Sequence, residues 1–272
     1  MIRFAIITVT YNAADCIERT VQSVLAQDYP AVDYLVVDGG SKDDTPAIIS
    51  HYADRLTWWC SEPDRGIYDG MNKGIEQVYA LSRKDGEERY VLMLNADDTF
   101  YSRTTLSEVA AYIAQQQDRP DVVAGSWMLH PEHGAYLNHP GDLSRLPHRY
   151  VLCHQATFVR SSVLHDNLFD LRYRLAGDFA QLSSLYLKGY RFAVCADIVI
   201  CNMMLNVGAT ERHWRESVHE AFDVVRANGC YRWGAETWLL CRKGVVRLIK
   251  RLLPQSLSNA LFAWLARHYK TM

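Results

Sequence analysis

Paired cysteines, glycine-rich phosphate cradles, long apolar runs and an excess of either charge are all missing from this 272-residue chain. Its seven cysteines (Cys16, Cys60, Cys153, Cys195, Cys201, Cys230 and Cys241) are odd in number and scattered, with no Cys-x-x-Cys pair. That pattern favours reduced, mostly buried thiols over a disulfide framework or a zinc site. No run approaches the ~18 apolar residues of a membrane-spanning helix. Met1-Ile2-Arg3 leads directly into an apolar segment without a charged leader and cleavage site, so secretion is not expected. A formal net charge of −2, with 22% charged residues, argues against a general nucleic-acid binder. No Gly-x-Gly-x-x-Gly follows the first apolar run and no Gly-x-x-x-x-Gly-Lys-Ser/Thr loop occurs, so neither a dinucleotide cradle nor a P-loop is supported.

What is present is organised around residues 90–100, Tyr-Val-Leu-Met-Leu-Asn-Ala-Asp-Asp-Thr-Phe. An unbroken apolar stretch over 90–94 predicts a strand buried on both faces, and it stops at Asn95, Ala96, Asp97 and Asp98. Hard carboxylate oxygens at the carboxyl end of a core strand suit Mg²⁺ or Mn²⁺ bridging to a diphosphate; a solvated turn is the plainer alternative. Apolar runs at 4–9, 34–37 and 56–60 predict three earlier strands. They are separated by helical patterns, one opening at Asp15 with Glu18 as a capping box and one at Thr45-Pro46. The third run leads into a dense polar turn from Ser61 and then a helix whose inner face carries Ile67, Met71, Ile75 and Val78. Thr105 with Glu108 predicts a further capped helix. Strands alternating with helices imply a mostly parallel sheet with right-handed crossovers.

Beyond residue 118 the pattern loosens. A short strand over 121–124, with 127–129 as a second, precedes a long loop at 130–150. Order resumes at His154-Gln155, Gly177-Asp178 opens a helix, and residues 191–200 supply one or two strands. A helix over 211–228 follows. From Trp238 to Tyr269 the chain carries a basic amphipathic segment and then an aromatic-bearing one. These fit an interfacial membrane anchor, or terminal helices docked on the domain or on a second copy. The expected organisation is one domain over 1–205, with a nucleotide-sugar-binding half at 1–117 and an acceptor half at 118–205. A helical extension spans 206–272. The expected location is the cytoplasm, with the extension able to rest on the inner face of the membrane.

Asp38, Asp64 and the pair Asp97-Asp98 all fall at or just beyond strand ends, which a doubly wound sheet gathers into one crevice. The strings Ile6-Ile7-Thr8-Val9-Thr10-Tyr11-Asn12, Val37-Asp38-Gly39-Gly40-Ser41-Lys42-Asp43-Asp44-Thr45, Asp64-Arg65-Gly66-Ile67-Tyr68-Asp69-Gly70-Met71-Asn72-Lys73-Gly74 and Leu94-Asn95-Ala96-Asp97-Asp98 together resemble the inverting family 2 glycosyltransferases over about the first hundred residues. The resemblance implies an α/β GT-A fold with a Rossmann-like nucleotide-binding sheet and C-terminal helices. It also implies a nucleotide-diphosphate sugar donor, usually a UDP-sugar, and a divalent cation held by a DxD-type motif whose first position here is Asn95.

By that similarity Asp97 and Asp98 carry the metal and ribose contacts. Asp38 bonds the nucleobase, flanked by Thr10 and Tyr11. Asp178 is the base that takes the acceptor proton, and His154 and Gln155 lie on the acceptor side. An ordinary helix N-cap is the plainer role for Asp178. Lys73 and Arg65 are donor-phosphate partners or solvated helix charges, and Asp64 lies beside them. The implied acceptor is a saccharide or lipid-linked precursor of a surface polysaccharide. A catalytically silent sugar-nucleotide binder and a nucleotidyltransferase are the alternatives.

Overall fold

The computed structural model describes residues 1–130, 134–204 and 213–234. Its core is a nine-stranded sheet in the order β3-β2-β1-β4-β8-β6-β9-β5, with β5 (Thr99–Phe100) at one edge and β7 (Tyr136–Asn138) paired to β6. β1 (Arg3–Thr10), β2 (Val32–Asp38), β3 (Trp58–Ser61) and β4 (Arg89–Met93) run parallel. β8 (Thr157–Arg160) returns antiparallel to β4 and to β6 (Val122–His130), and β9 (Phe192–Met204) runs parallel to β6. One continuous sheet therefore joins the two expected halves of the chain.

Alternation along β1 builds both faces. Ala5, Ile7 and Val9 face one core with Leu35, Met71, Ile75 and Phe179, while Phe4 and Ile6 face the other with Ile17, Val21, Leu106 and Phe158. On the second side lie α1 (Ile17–Leu25), α2 (Thr45–His51) and α4 (Thr105–Gln115); on the first lie α3 (Ile67–Asp85), α5 (Ser161–His165), α6 (Gly177–Leu187) and α7 (Trp214–Ala227). Buried Ile17, Thr20, Val21 and Val24 fall on one stripe of α1 at helical spacing. Each such fully buried aliphatic side chain contributes about 1.5–3 kcal/mol.

Several local expectations are corrected. The first helix starts at Ile17 behind Cys16, and Glu18 accepts from the Tyr52 hydroxyl at 2.7 Å instead of closing a capping box. In α4 the cap position is Thr104, whose hydroxyl meets Glu108 at 2.5 Å. The pieces expected at 121–129 form the single strand β6, because a register shift at Gly125/Ser126 and Ser126/Trp127 lets it follow β9 without breaking. Residues 192–200 belong to one thirteen-residue strand that runs on to Met204. The expected loop at 130–150 contains β7 and a 3-10 turn, Leu143–Arg145.

α7 sends Val218, Val224 and Val225 into the protein interior. The amphipathic segments expected at 238–269 lie outside the described residues, as does Cys241; the other six cysteines are free thiols. Among the described residues, no helix is long and apolar enough to cross a membrane.

Candidate active site

Parallel pairing of β1 to β4 brings the chain after Thr10, Asp38, Ser61 and Met93 out at one edge of the sheet. β8 is antiparallel to β4, so the 3-10 turn His154–Ala156 that precedes it arrives beside the end of β4. Two hollows open along this edge.

The first, about 500 Å³, is walled by Thr10, Tyr11, Gly39, Lys42 and Asp64, with Ile67 at the start of α3. Asp64 Oδ1 accepts from the Gly66 N–H at 2.9 Å, and its other oxygen lies where a Cβ on Gly39 would approach to 2.6 Å. Only glycine leaves that carboxylate its place. Asp38 is fully buried beneath this hollow. It accepts from the Ser41 N–H at 3.0 Å, from the Ser41 hydroxyl and from the Ser61 hydroxyl at 2.6 Å. Ser41 in turn accepts from the Asn12 N–H at 2.7 Å, so Asp38 ties the tips of β1, β2 and β3 together.

Lys73 does not line this hollow. It pairs with Glu62 at 2.9 Å and donates to the Pro63 carbonyl at 3.2 Å, bracing the segment that carries Asp64, and the Glu62 contact raises its pKa. Arg65 is exposed at the rim and pairs with Asp69 at 2.8 Å.

Asp97 occupies left-handed backbone at φ 88°, its N–H donates to Thr20 Oγ1 at 3.0 Å, and its carboxylate meets Arg19 at 2.7 Å. Asp98 turns inward and accepts from Gln155 Nε2 at 3.2 Å. Burial pushes the Asp98 carboxyl up to about 7, against the opposing pull of His154 and Gln155. Among the described residues, no cluster of three or more His, Cys, Asp or Glu side chains is arranged to cage a metal. A cation bridging to a diphosphate needs only one or two carboxylates. Adjacent carboxylates, one of them costly to ionise when buried, fit such an ion.

The second hollow, about 370 Å³, holds His154, Gln155 and Asp178 between Trp127 of β6, Tyr150 and Ser217 of α7. Asp178, in the first turn of α6, accepts from the Phe179 N–H at 2.9 Å and from the Tyr68 hydroxyl at 3.1 Å. Its other oxygen lies 3.0 Å from His154 Nδ1, and His154 Nε2 lies 3.1 Å from the Asn95 amide nitrogen. Burial alone would raise the Asp178 carboxyl, yet the hydrogen bonds from His154 and the Phe179 N–H bring it below the ordinary carboxylate value. Its side chain keeps 13% of its surface accessible, so an ionised carboxylate faces the hollow. The Tyr150 hydroxyl is buried here without a hydrogen-bond partner of sound geometry. Burial first, and then the Asp178 charge, push it well above the usual phenol range.

The expected residues thus divide: Thr10, Tyr11 and Asp64 line the first hollow, and His154, Gln155 and Asp178 the second. Asp38 is the buried brace between strand tips, Lys73 stands behind Asp64, and Asp97 faces α1. Asn95 links the end of β4 to the second hollow through His154. Residues without an assigned role in the sequence reading also contribute. Lys42 follows the Gly-Gly-Ser turn directly, and Tyr68 lies inside the quoted 64–74 string. Arg19 on α1 and Tyr150 in an irregular stretch carry no sequence signal.

An α/β sheet whose parallel strands end beside these hollows has the GT-A architecture. The chain belongs to glycosyl transferase family 2, whose profile matches residues 5–176. It is 31% identical over 184 residues to a PGL/p-HBAD biosynthesis glycosyltransferase of Mycobacterium bovis, covering 65% of this chain and 66% of that protein. It is 46% identical over 182 residues to a Mycobacterium tuberculosis glycosyltransferase described as uncharacterized, covering 64% and 65%. The match therefore spans slightly under two thirds of these relatives' own length. Among solved structures, Staphylococcus aureus TarS 1-349 with UDP-GlcNAc superposes with a TM-score of 0.66 at 20% identity, covering 87% of this chain and 69% of that one. The mannosyltransferase PcManGT of Pyrobaculum calidifontis with GDP-Man and Mn²⁺ gives 0.61 at 19%, covering 98% and 81%. Membership of this family sets the nucleotidyltransferase alternative aside.

Proposed function

We propose that the protein is an inverting transferase moving a sugar from a nucleotide-diphosphate sugar, of the UDP type, to a hydroxyl of a saccharide or lipid-linked acceptor in surface-glycan assembly. The observation that carries this reading is the ionised Asp178 carboxylate, fixed by Tyr68, His154 and the Phe179 N–H at the wall of the second hollow. α3 joins the two hollows: Ile67 lines the first and its neighbour Tyr68 reaches Asp178. A donor in the first hollow and an acceptor in the second would meet at that junction. The names of the relatives, one in PGL/p-HBAD biosynthesis and others solved with UDP-GlcNAc or GDP-Man, are in keeping with it.

In the reaction, Asp178 takes the acceptor hydroxyl proton while that oxygen bonds to the anomeric carbon. The bond from that carbon to the diphosphate oxygen breaks on the opposite face. Thr10, Tyr11 and Asp64 hold the nucleoside and ribose, and Lys42 offers its ammonium to the phosphates. Asp38 acts through Ser41 and Ser61 by fixing the loop on which the nucleotide rests. A divalent cation at Asp97, with Asp98 behind it, would offset the charge that builds on the departing diphosphate.

The test is thermal stabilisation by a panel of UDP-, GDP- and dTDP-sugars with Mn²⁺ or EDTA. A ligand at a hundred times its Kd adds about 2.7 kcal/mol to the native state. One nucleotide class should raise Tm in Mn²⁺ only, and Asp97→Ala should remove the gain. Stabilisation by none of them, or equal stabilisation in EDTA, would count against the reading.

A further inference from the structure

The end of β4 and the candidate base are joined by a chain of hydrogen bonds whose direction can be read atom by atom. An ionised carboxylate can only accept, so the 3.0 Å contact between Asp178 Oδ2 and His154 Nδ1 puts a proton on Nδ1. An amide nitrogen can only donate, so the 3.1 Å contact from Asn95 Nδ2 requires a bare Nε2. Asn95 Oδ1 is left buried without a partner. Turning the amide over would strand its two N–H groups instead, and unmet buried N–H groups are rarer than unmet carbonyl oxygens.

The groups facing this unit are Tyr68 from α3, Asp178 from α6, and Tyr150, Cys153 and Gln155 from the segment before β8. Cys201 comes from β9, and Asp98 follows Asn95. Asp98 acts on His154 through space while its own carboxylate is engaged by Gln155.

We infer that Asn95 is a positioning residue that holds His154 as its neutral Nδ1–H tautomer and so leaves Asp178 the lone charge facing the acceptor hollow. This rests on the reading of Asp178 as the base. An aspartate at 95 would place a second carboxylate against Nε2. The imidazole would then keep a second proton, and Asp178 would work opposite a standing positive charge as a weaker base.

The test is nitrogen NMR on protein labelled in its ten histidines, with the His154 signal identified by its loss in His154→Gln. Unaltered protein at neutral pH should show His154 with Nδ1 protonated and Nε2 bare. Asn95→Asp should show both nitrogens protonated at neutral pH, because an opposite charge at hydrogen-bond range favours the imidazolium. His154 protonated on Nε2 in unaltered protein would overturn the inference without any variant. A bare Nε2 in folded Asn95→Asp would also overturn it. Neither readout uses sugar transfer, so an active Asp178→Asn enzyme would defeat the reading of the base while leaving the tautomer result standing.

Discussion

Gly177→Ala should act through Tyr68. A Cβ on Gly177 would lie 2.7–2.9 Å from three atoms of the Tyr68 ring, where ordinary contact begins at 3.4 Å, so the ring must give by about 0.7 Å (3.4 − 2.7). Tyr68 is buried and stacked on Phe169 with centroids 5.2 Å apart, so it has little room to retreat. Overpacking of this kind costs about 1–3 kcal/mol. Losing the Tyr68 hydrogen bond to an ionised Asp178 costs about 1.5–3 kcal/mol more. The better helix propensity of alanine returns up to about 1 kcal/mol. The net loss is about 2–5 kcal/mol, which for a domain of this size lowers Tm by roughly 5–15 °C. Thermal unfolding followed by circular dichroism reads this directly. The double variant with Tyr68→Leu supplies the control: if the clash is the cause, adding Gly177→Ala to Tyr68→Leu should cost almost nothing further. A single variant within 2 °C of the parent, or strictly additive losses in the double variant, would refute the reasoning.

Two further outcomes follow from the same geometry. Gly39→Ala drives a methyl to 2.6 Å from the Asp64 carboxylate, so the protein should stay folded by circular dichroism while its stabilisation by nucleotide diphosphates disappears; retained stabilisation would show that Asp64 does not hold the nucleotide. Asp98, pushed up to about 7, favours the native state when protonated, so its stabilising effect is full at acid pH and is lost as pH rises through 7. Asp98→Asn should therefore gain in Tm over the parent at pH 8 and lose that gain towards pH 4, whereas a gain independent of pH would contradict the assignment.

Much of the parallel half was legible because a strand buried on both faces leaves an unbroken apolar run, as at 4–9, and its polar end marks the ligand edge. The carboxylates at that edge were visible for the same reason, although what they touch was not. Asp38 is enclosed by Ser41 and Ser61, and Asp97 meets Arg19, which lies 78 residues earlier. Such pairings depend on how the strand tips are stacked, and no local spacing encodes them. β9 was read as shorter pieces because its pairing with β6, which runs the full length from Phe192 to Met204, carries a bulge midway, and β5 joins only at Cys201 and Asn202. The cap positions were misjudged where a nearby hydroxyl, Tyr52 for Glu18, outcompeted the helix end. Tyr150 lies in an irregular stretch with neither helical nor strand period, so its place beside Asp178 is a product of tertiary packing alone.

The most direct measurement is sugar transfer and donor affinity in Asp178→Asn, side by side with the parent enzyme. Asparagine keeps the shape but has one acceptor oxygen where the carboxylate met His154 with one oxygen and Tyr68 and the Phe179 N–H with the other, so donor affinity should hold while Tm falls. Turnover should fall by about 10²–10⁴-fold, the usual contribution of a positioned base. Undiminished turnover in the folded variant would contradict the account.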